Sequence, residues 1–265
     1  MDRITRALDL ARAQGQLPTP PSAPAPKPQS GEATGTYFAP IIQLDPVVSE
    51  REHILPPNAG GPRGAAYKLL RTQVLQRLDQ MNANTIAVMS AKENQGNTLT
   101  AINLAIAIAA EHGRTALLVD LNLRNPSIHR RLGFEPQTGV EECLRGARSV
   151  EQVIVRVAEY ERLAVMPARL PVEHSSELLS SQRAAALMEE LRNRYNNRIM
   201  IFDLPPILCA DDALAFSRVV QAGLLVVADE KTRRDDVRRC VSLLGDLPLL
   251  GTVLNASRDA SARQY

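Results

Sequence analysis

Tryptophan is absent from this 265-residue chain, and aromatic residues make up only 3% of it. Single-stranded nucleic acid is held on aromatic stacking platforms, so that class of function has little to stand on. Excess charge of either sign is also missing. The 31 Lys and Arg residues against 29 Asp and Glu leave a formal net charge of +2, and no global field argues for a polyanion or an anionic membrane. Cysteine is scarce: Cys143, Cys209 and Cys240 are scattered, without CxxC or metal-ligand spacing, which predicts buried, reduced thiols. Long hydrophobic runs are lacking too. The longest, Leu104 to Ala110, falls far short of the ~20 residues that span a bilayer. The opening MDRITRALDLARAQG is charged throughout and does not read as a secretory leader. These absences predict a cytoplasmic chain with no direct membrane span, reaching the membrane through a partner.

What is present is organised in four parts. Residues 1–15 carry Ile4, Ala7, Leu8 and Ala11 at helical spacing, an amphipathic helix. Residues 16–43 are rich in proline and small residues and read as a disordered linker. Residues 44–257 form the expected folded domain, and 258–265 a flexible tail. Within the domain, AAYKLLRTQVLQRLDQM (65–81) predicts a helix. Apolar runs at 85–90, 115–121, ERLAVMP, 198–204, 222–229 and 250–255 then alternate with helical stretches, the first closed by Gly113. Continuous apolar strands alternating with helices predict a doubly wound α/β domain on a mainly parallel sheet.

Ligands of such sheets bind beyond the carboxyl ends of the strands, and four ends here carry unusual residues. SAKENQGNTLT (90–100) stands where a strand turns into a helix. A phosphate loop needs glycines for backbone approach, a Lys for the outer phosphates and a Ser or Thr for Mg²⁺. Gly96 and Thr98 are in place, but Asn94 fills a glycine position and Asn97 the lysine position. VDLNLRNPSIHRRLG places Asp120 at the second end, followed by Asn122 and Arg124. MIFDLPP places Asp203 at the third, the arrangement that brings a carboxylate to a Mg²⁺ shell. Asn255 ends the last strand, its amide set to cap the strand or to face a purine edge. Each alone fits a capped turn; four in chain order predict a nucleotide-binding P-loop fold.

With these residues the chain resembles the bacterial tyrosine kinases (BY-kinases) of exopolysaccharide and capsule synthesis, relatives of the MinD/ParA ATPases. The likeness runs from about Leu44 to Ser257 through YKLLRTQVLQRL, TLTAINLAIAIA, LLVDLNLRNPSIHRRLG, SSELLSSQRAAALMEELRNRY, IFDLPPIL and GLLVVADEKTRRDDVRR. The resemblance implies ATP or ADP with Mg²⁺ as cofactor. It places nucleotide contacts on Lys92, Gly96, Asn97, Thr98, Leu99 and Asn255, metal contacts on Thr98 and Asp203, and catalytic carboxylates at Asp120 and Asp203. Lys92 matches the lysine that in MinD/ParA relatives reaches a partner's nucleotide. The implied partner is an inner-membrane polysaccharide co-polymerase, or chain-length determinant, with homo- or hetero-oligomers possible in the family.

The departures fall on the chemistry. Where the family has Gly-Glu-Gly-Lys, this chain has Asn94-Gln95-Gly96-Asn97; where the family has a second Asp, it has Asn122; Leu204 replaces the Thr or Ser that follows the Asp203 position in the family. In the oligomer helix, Ala65, Lys68 and Arg71 stand in place of Glu-x-x-Arg-x-x-Arg, and the tail offers only Tyr265 as phosphoacceptor. A hydrogen bond to a charged group contributes roughly 1.5–3 kcal/mol, so Asn97 is expected to weaken nucleotide affinity about 10- to 150-fold. Phosphoryl transfer, which rests on charge and positioning, is expected to suffer more. The expectation is a catalytically impaired scaffold or regulator. The alternatives are an active autokinase using Lys92 or Arg124 as substitute cation, and a MinD/ParA-like positioning ATPase, for which the sequence shows no C-terminal membrane helix.

Overall fold

The structure, a computed structural model, describes residues 39–194 and 197–257. The expected N-terminal helix, most of the linker and the tail with Tyr265 lie outside those residues. Eight strands form one sheet: β1 (Ile41–Ile42), β2 (Thr85–Ser90), β3 (Thr115–Asp120), β4 (Val155–Val157), β5 (Tyr160–Met166), β6 (Arg198–Asp203), β7 (Ala222–Ala228) and β8 (Leu249–Asn255), in the order β1-β4-β5-β3-β6-β2-β7-β8. All neighbours are parallel except the β4–β5 pair. β2 and β6 are buried almost end to end, as strands covered on both faces must be, and this is why they read as unbroken apolar runs. The fold is an α/β doubly wound, mainly parallel sheet of P-loop type.

The helices, in chain order, are α1 (Pro46–Arg51), α2 (Gly61–Gln80), α3 (Asn97–Ala109), α4 (Ile128–Leu132), α5 (Val140–Arg145), α6 (Val150–Val153), α7 (Ser175–Leu179), α8 (Gln182–Arg194), α9 (Asp212–Phe216) and α10 (Arg234–Leu244). α3 is buried on nearly every face; only Leu99 is half-exposed. A helix apolar all round belongs inside, and this one packs between the sheet and α2. Its Asn103 accepts from Leu55 N at 2.8 Å and donates to His53 O at 3.1 Å, fixing the approach to α2.

Two short elements differ from the sequence reading. β1 lies within the stretch read as linker, where Ile41 and Ile42 pair with Arg156 and Val157; a two-residue strand is too short to carry a periodicity. β4, three residues long, turns back on β5. α3 ends at Ala109 with Ala110 N–H bonded to Ile106 O, ahead of Gly113, which takes φ +80° in the turn beyond. Cys143 and Cys240 are buried as expected, but Cys209 is exposed. It follows Pro205-Pro206 on the loop leaving β6, outside the sheet's cover.

Candidate functional site

Because β2 lies between β6 and β7, the loop after β2 meets the end of β6. In register, Val88 pairs with Asp203, and Asp203 pairs with Asp120 of β3. The three carboxyl ends thus lie side by side.

The loop is set by its own side chains. Asn94 takes φ +59° and Gly96 φ +89°, left-handed conformations that asparagine and glycine tolerate. Gln95 is buried; its Oε1 accepts from the N–H groups of Ala91 (3.0 Å) and Lys92 (3.1 Å), and its Nε2 donates to Thr232 Oγ1 at 2.7 Å. Asn255 donates through Nδ2 to Gln95 O at 3.0 Å. A Cβ at Gly96 would lie 2.0 Å from that amide nitrogen. Asn255 is therefore a clamp on the loop, its amide nitrogen donating to the Gln95 carbonyl.

Asn97 opens α3 but turns inward. Its Nδ2 donates to Asp203 Oδ1 at 3.0 Å and to Leu204 O at 2.9 Å, while its Oδ1 lies 3.2 Å from Ser90 Oγ. Asp203 is fully buried. Burial, and then the neighbouring Asp120 charge, hold its carboxyl well above the usual range against the pull of Thr98 and Asn97. Its Oδ2 is buried without a hydrogen-bond partner among the described residues.

Asp120, also fully buried, accepts from Asn122 N at 3.2 Å, Ser127 N at 3.0 Å and Ile128 N at 3.1 Å. Both its oxygens shape the loop into α4. Burial raises its pKa despite those donors. The substitute cations are engaged as well. Lys92 Nζ pairs with Asp236 Oδ2 at 2.7 Å on α10, and Arg124 pairs with Asp212 at 2.8 Å and Asp211 at 3.0 Å. On α2, Lys68 is exposed, while Arg71 reaches Glu111 at 2.8 Å within the chain.

Above the loop lies a cavity of about 420 Å³. Its lining includes Gly96, Asn97, Thr98 and Asn122, and also Arg51, Arg124, Arg130 and Arg131. Sequence reading passed over Gln95 and three of these arginines. Gln95 stood in a motif slot valued for its glycines, and the arginines come from separate elements that only the fold brings together. The HRR run was their one visible sign.

The residues present fit phosphate better than they fit magnesium. The first N–H groups of the 13-residue α3 open onto the loop, while the space at Gly96 itself is met by Asn255 Nδ2. Magnesium calls for several oxygen ligands, usually with an ionised carboxylate. Asp203 does not line the cavity and is bonded to Asn97, Asp120 is taken up by backbone N–H groups, and Asn122 is neutral. Among the described residues, no three His, Cys, Asp or Glu side chains converge on one metal position.

Comparison with known proteins agrees with this architecture. The ParA family model, described as NUBPL iron-transfer P-loop NTPase, matches residues 82–263. The tyrosine-protein kinase YwqD of Bacillus subtilis is 28% identical over 201 residues, covering 75% of this chain and 83% of YwqD. ExoP of Rhizobium meliloti, a succinoglycan biosynthesis transport protein, is 32% identical over 205 residues, covering 73% of this chain but only 25% of ExoP. The crystal structure of the VpsO kinase domain superposes with a TM-score of 0.64 at 28% identity, covering 73% of this chain and 95% of that one. Matched over most of its length, the chain belongs to the ParA family of P-loop NTPases, and its relatives there are bacterial tyrosine kinases.

Proposed function

We propose that this protein is a catalytically impaired member of the bacterial tyrosine-kinase branch, acting as a scaffold or regulator in exopolysaccharide biosynthesis and export. One observation carries the reading: the residue in the loop-lysine position, Asn97, is hydrogen-bonded down onto Asp203. A neutral amide there offers no charge to the outer phosphates, and it holds one oxygen, Oδ1, of the carboxylate that would serve a metal. Since phosphoryl transfer depends on charge stabilisation and positioning, both losses act on the rate. Lys92 and Arg124, the substitute cations of an active kinase, are held by Asp236 and by Asp211 and Asp212.

ExoP supports the setting, since the match covers a quarter of a protein named for polysaccharide transport. The proposed partner is a membrane co-polymerase, which would bring this chain to the cytoplasmic face of the inner membrane through residues 1–15 and the linker.

Incubation with Mg-ATP tests the first part. No phosphate is expected on Tyr265; phosphate that appears there and is lost in Asp203→Ala overturns the reading. Calorimetry should show weak Mg-ATP binding by the wild type and tighter binding by Asn97→Lys. For the partner, deletion of residues 1–15 is expected to abolish co-purification with the co-polymerase, and its persistence counts against tethering by that segment.

A further inference from the structure

The two ends of the sheet are finished differently. β1, at one end, is two residues long. Brevity protects a sheet edge, whose outward N–H and C=O groups otherwise invite another strand. β8, at the other end, is seven residues long and pairs with β7 alone among the described strands. From Leu249 to Ser257 the chain has no Lys, Arg, Asp, Glu or Pro, the residues that commonly guard an edge. A break in register, another such device, lies only at the start of β8; from Gly251 to Asn255 the strand runs one for one with Leu224 to Ala228. Thr252 and Leu254 share one face by alternation, and both are exposed, Leu254 by 57%. Among the described strands, only Ile41 of β1 and Leu254 of β8 are exposed large hydrophobics, one at each end of the sheet.

We propose that β8 pairs antiparallel with β8 of a second copy of this chain, across a two-fold axis at Val253, joining two sheets into one. A row of edge N–H and C=O groups is satisfied by another extended backbone. With no charge in β8, nothing along it selects a partner of opposite sign. The strand is instead its own complement, as a two-fold contact requires. About Val253, exposed Thr252 faces exposed Leu254 of the second copy, twice over, and Gly251 faces Asn255. An axis at Thr252 would oppose Leu254 to Leu250, which is buried in its own core. An axis at Leu254 would need Ala256 to be extended, but Ala256 takes φ +58°. Five paired residues a side make a small interface, so the dimer is expected to be reversible and concentration-dependent. The inference does not depend on whether the loop binds nucleotide.

Sedimentation velocity of the full chain over a rising concentration series tests it, with amide exchange at residues 251–255 followed over the same series. A monomer-to-dimer shift is expected, and exchange across these residues should slow as the dimer fills. Leu254→Lys and Thr252→Glu, each at an exposed side chain, both change two cross-strand pairs of the dimer. Each is expected to weaken association about 2- to 30-fold. Mixed together, the two variants should associate more tightly than either alone, because the introduced lysine then meets the introduced glutamate. Dimerisation through another face would leave both variants as associated as the wild type. Protection by the chain's own residues would not vary with concentration. Either result, a monomer at every concentration, or no gain on mixing overturns the proposal.

Discussion

The amide nitrogen of Asn97 lies 3.0 Å from Asp203 Oδ1, joining the start of α3 to the end of β6 across a fully buried position. This contact makes the loop a structural part of the sheet. Asn97→Ala leaves Asp203 and the Leu204 carbonyl without that donor. The expected loss is about 1–3 kcal/mol of stability, the cost of an unsatisfied buried group, read as a lower urea midpoint with an unchanged m-value.

The same carboxyl predicts a pH dependence. Burial raises Asp203 well above its usual range and Asp120 from 3.8 to about 7. Protons are then held more tightly by the folded than by the unfolded chain, so stability is full below about pH 4 for these two groups and is lost as pH rises toward neutrality and beyond. Urea melts at pH 5 and pH 8 should show the fall. Asp203→Asn, which keeps the oxygen facing Asn97, should flatten it; an equal slope in that variant would place the proton elsewhere.

Gly96 is predicted to resist substitution for two separate reasons. At φ +89° any side chain is strained, and a Cβ would meet Asn255 Nδ2 at 2.0 Å. Gly96→Ala should cost about 1–3 kcal/mol from backbone strain alone, seen as a lowered melting midpoint. Pairing it with Asn255→Ala relieves the collision but not the dihedral, so the double variant should recover only part of the loss.

Asn103 gives a test away from the loop. Asn103→Leu leaves Leu55 N–H and the His53 carbonyl without their side-chain partner inside the core. A loss of about 2–5 kcal/mol is expected from two orphaned backbone groups. Amide exchange at Leu55 should accelerate before global unfolding if the connector opens locally.

The strands that position the site were legible because burial on both faces leaves no polar alternation to confuse them, as β2 and β6 illustrate. Asp120 and Asp203 were legible as strand-end carboxylates, but what they bond to was not. Asp120 closes on Ser127 and Ile128 at its own loop, and Asp203 is taken by Asn97 from another strand. Partners of that kind depend on strand order, which places β6 beside β2 although about a hundred residues separate them. Gln95 illustrates the same limit. Its contact with Thr232 joins residues 137 apart, and no local pattern carries such a pairing.

The Asn255 clamp has a kinetic consequence. Its bond to the Gln95 carbonyl spans 160 residues, from the last strand of the sheet back to the first loop. Contacts so distant in sequence are slow to form, since the intervening chain must be ordered first. The phosphate loop, early in the chain, is thus expected to be among the last parts to acquire its final shape during folding. A nascent chain halted before β8 would carry every residue of SAKENQGNTLT and still lack the bond that holds the Gln95 carbonyl.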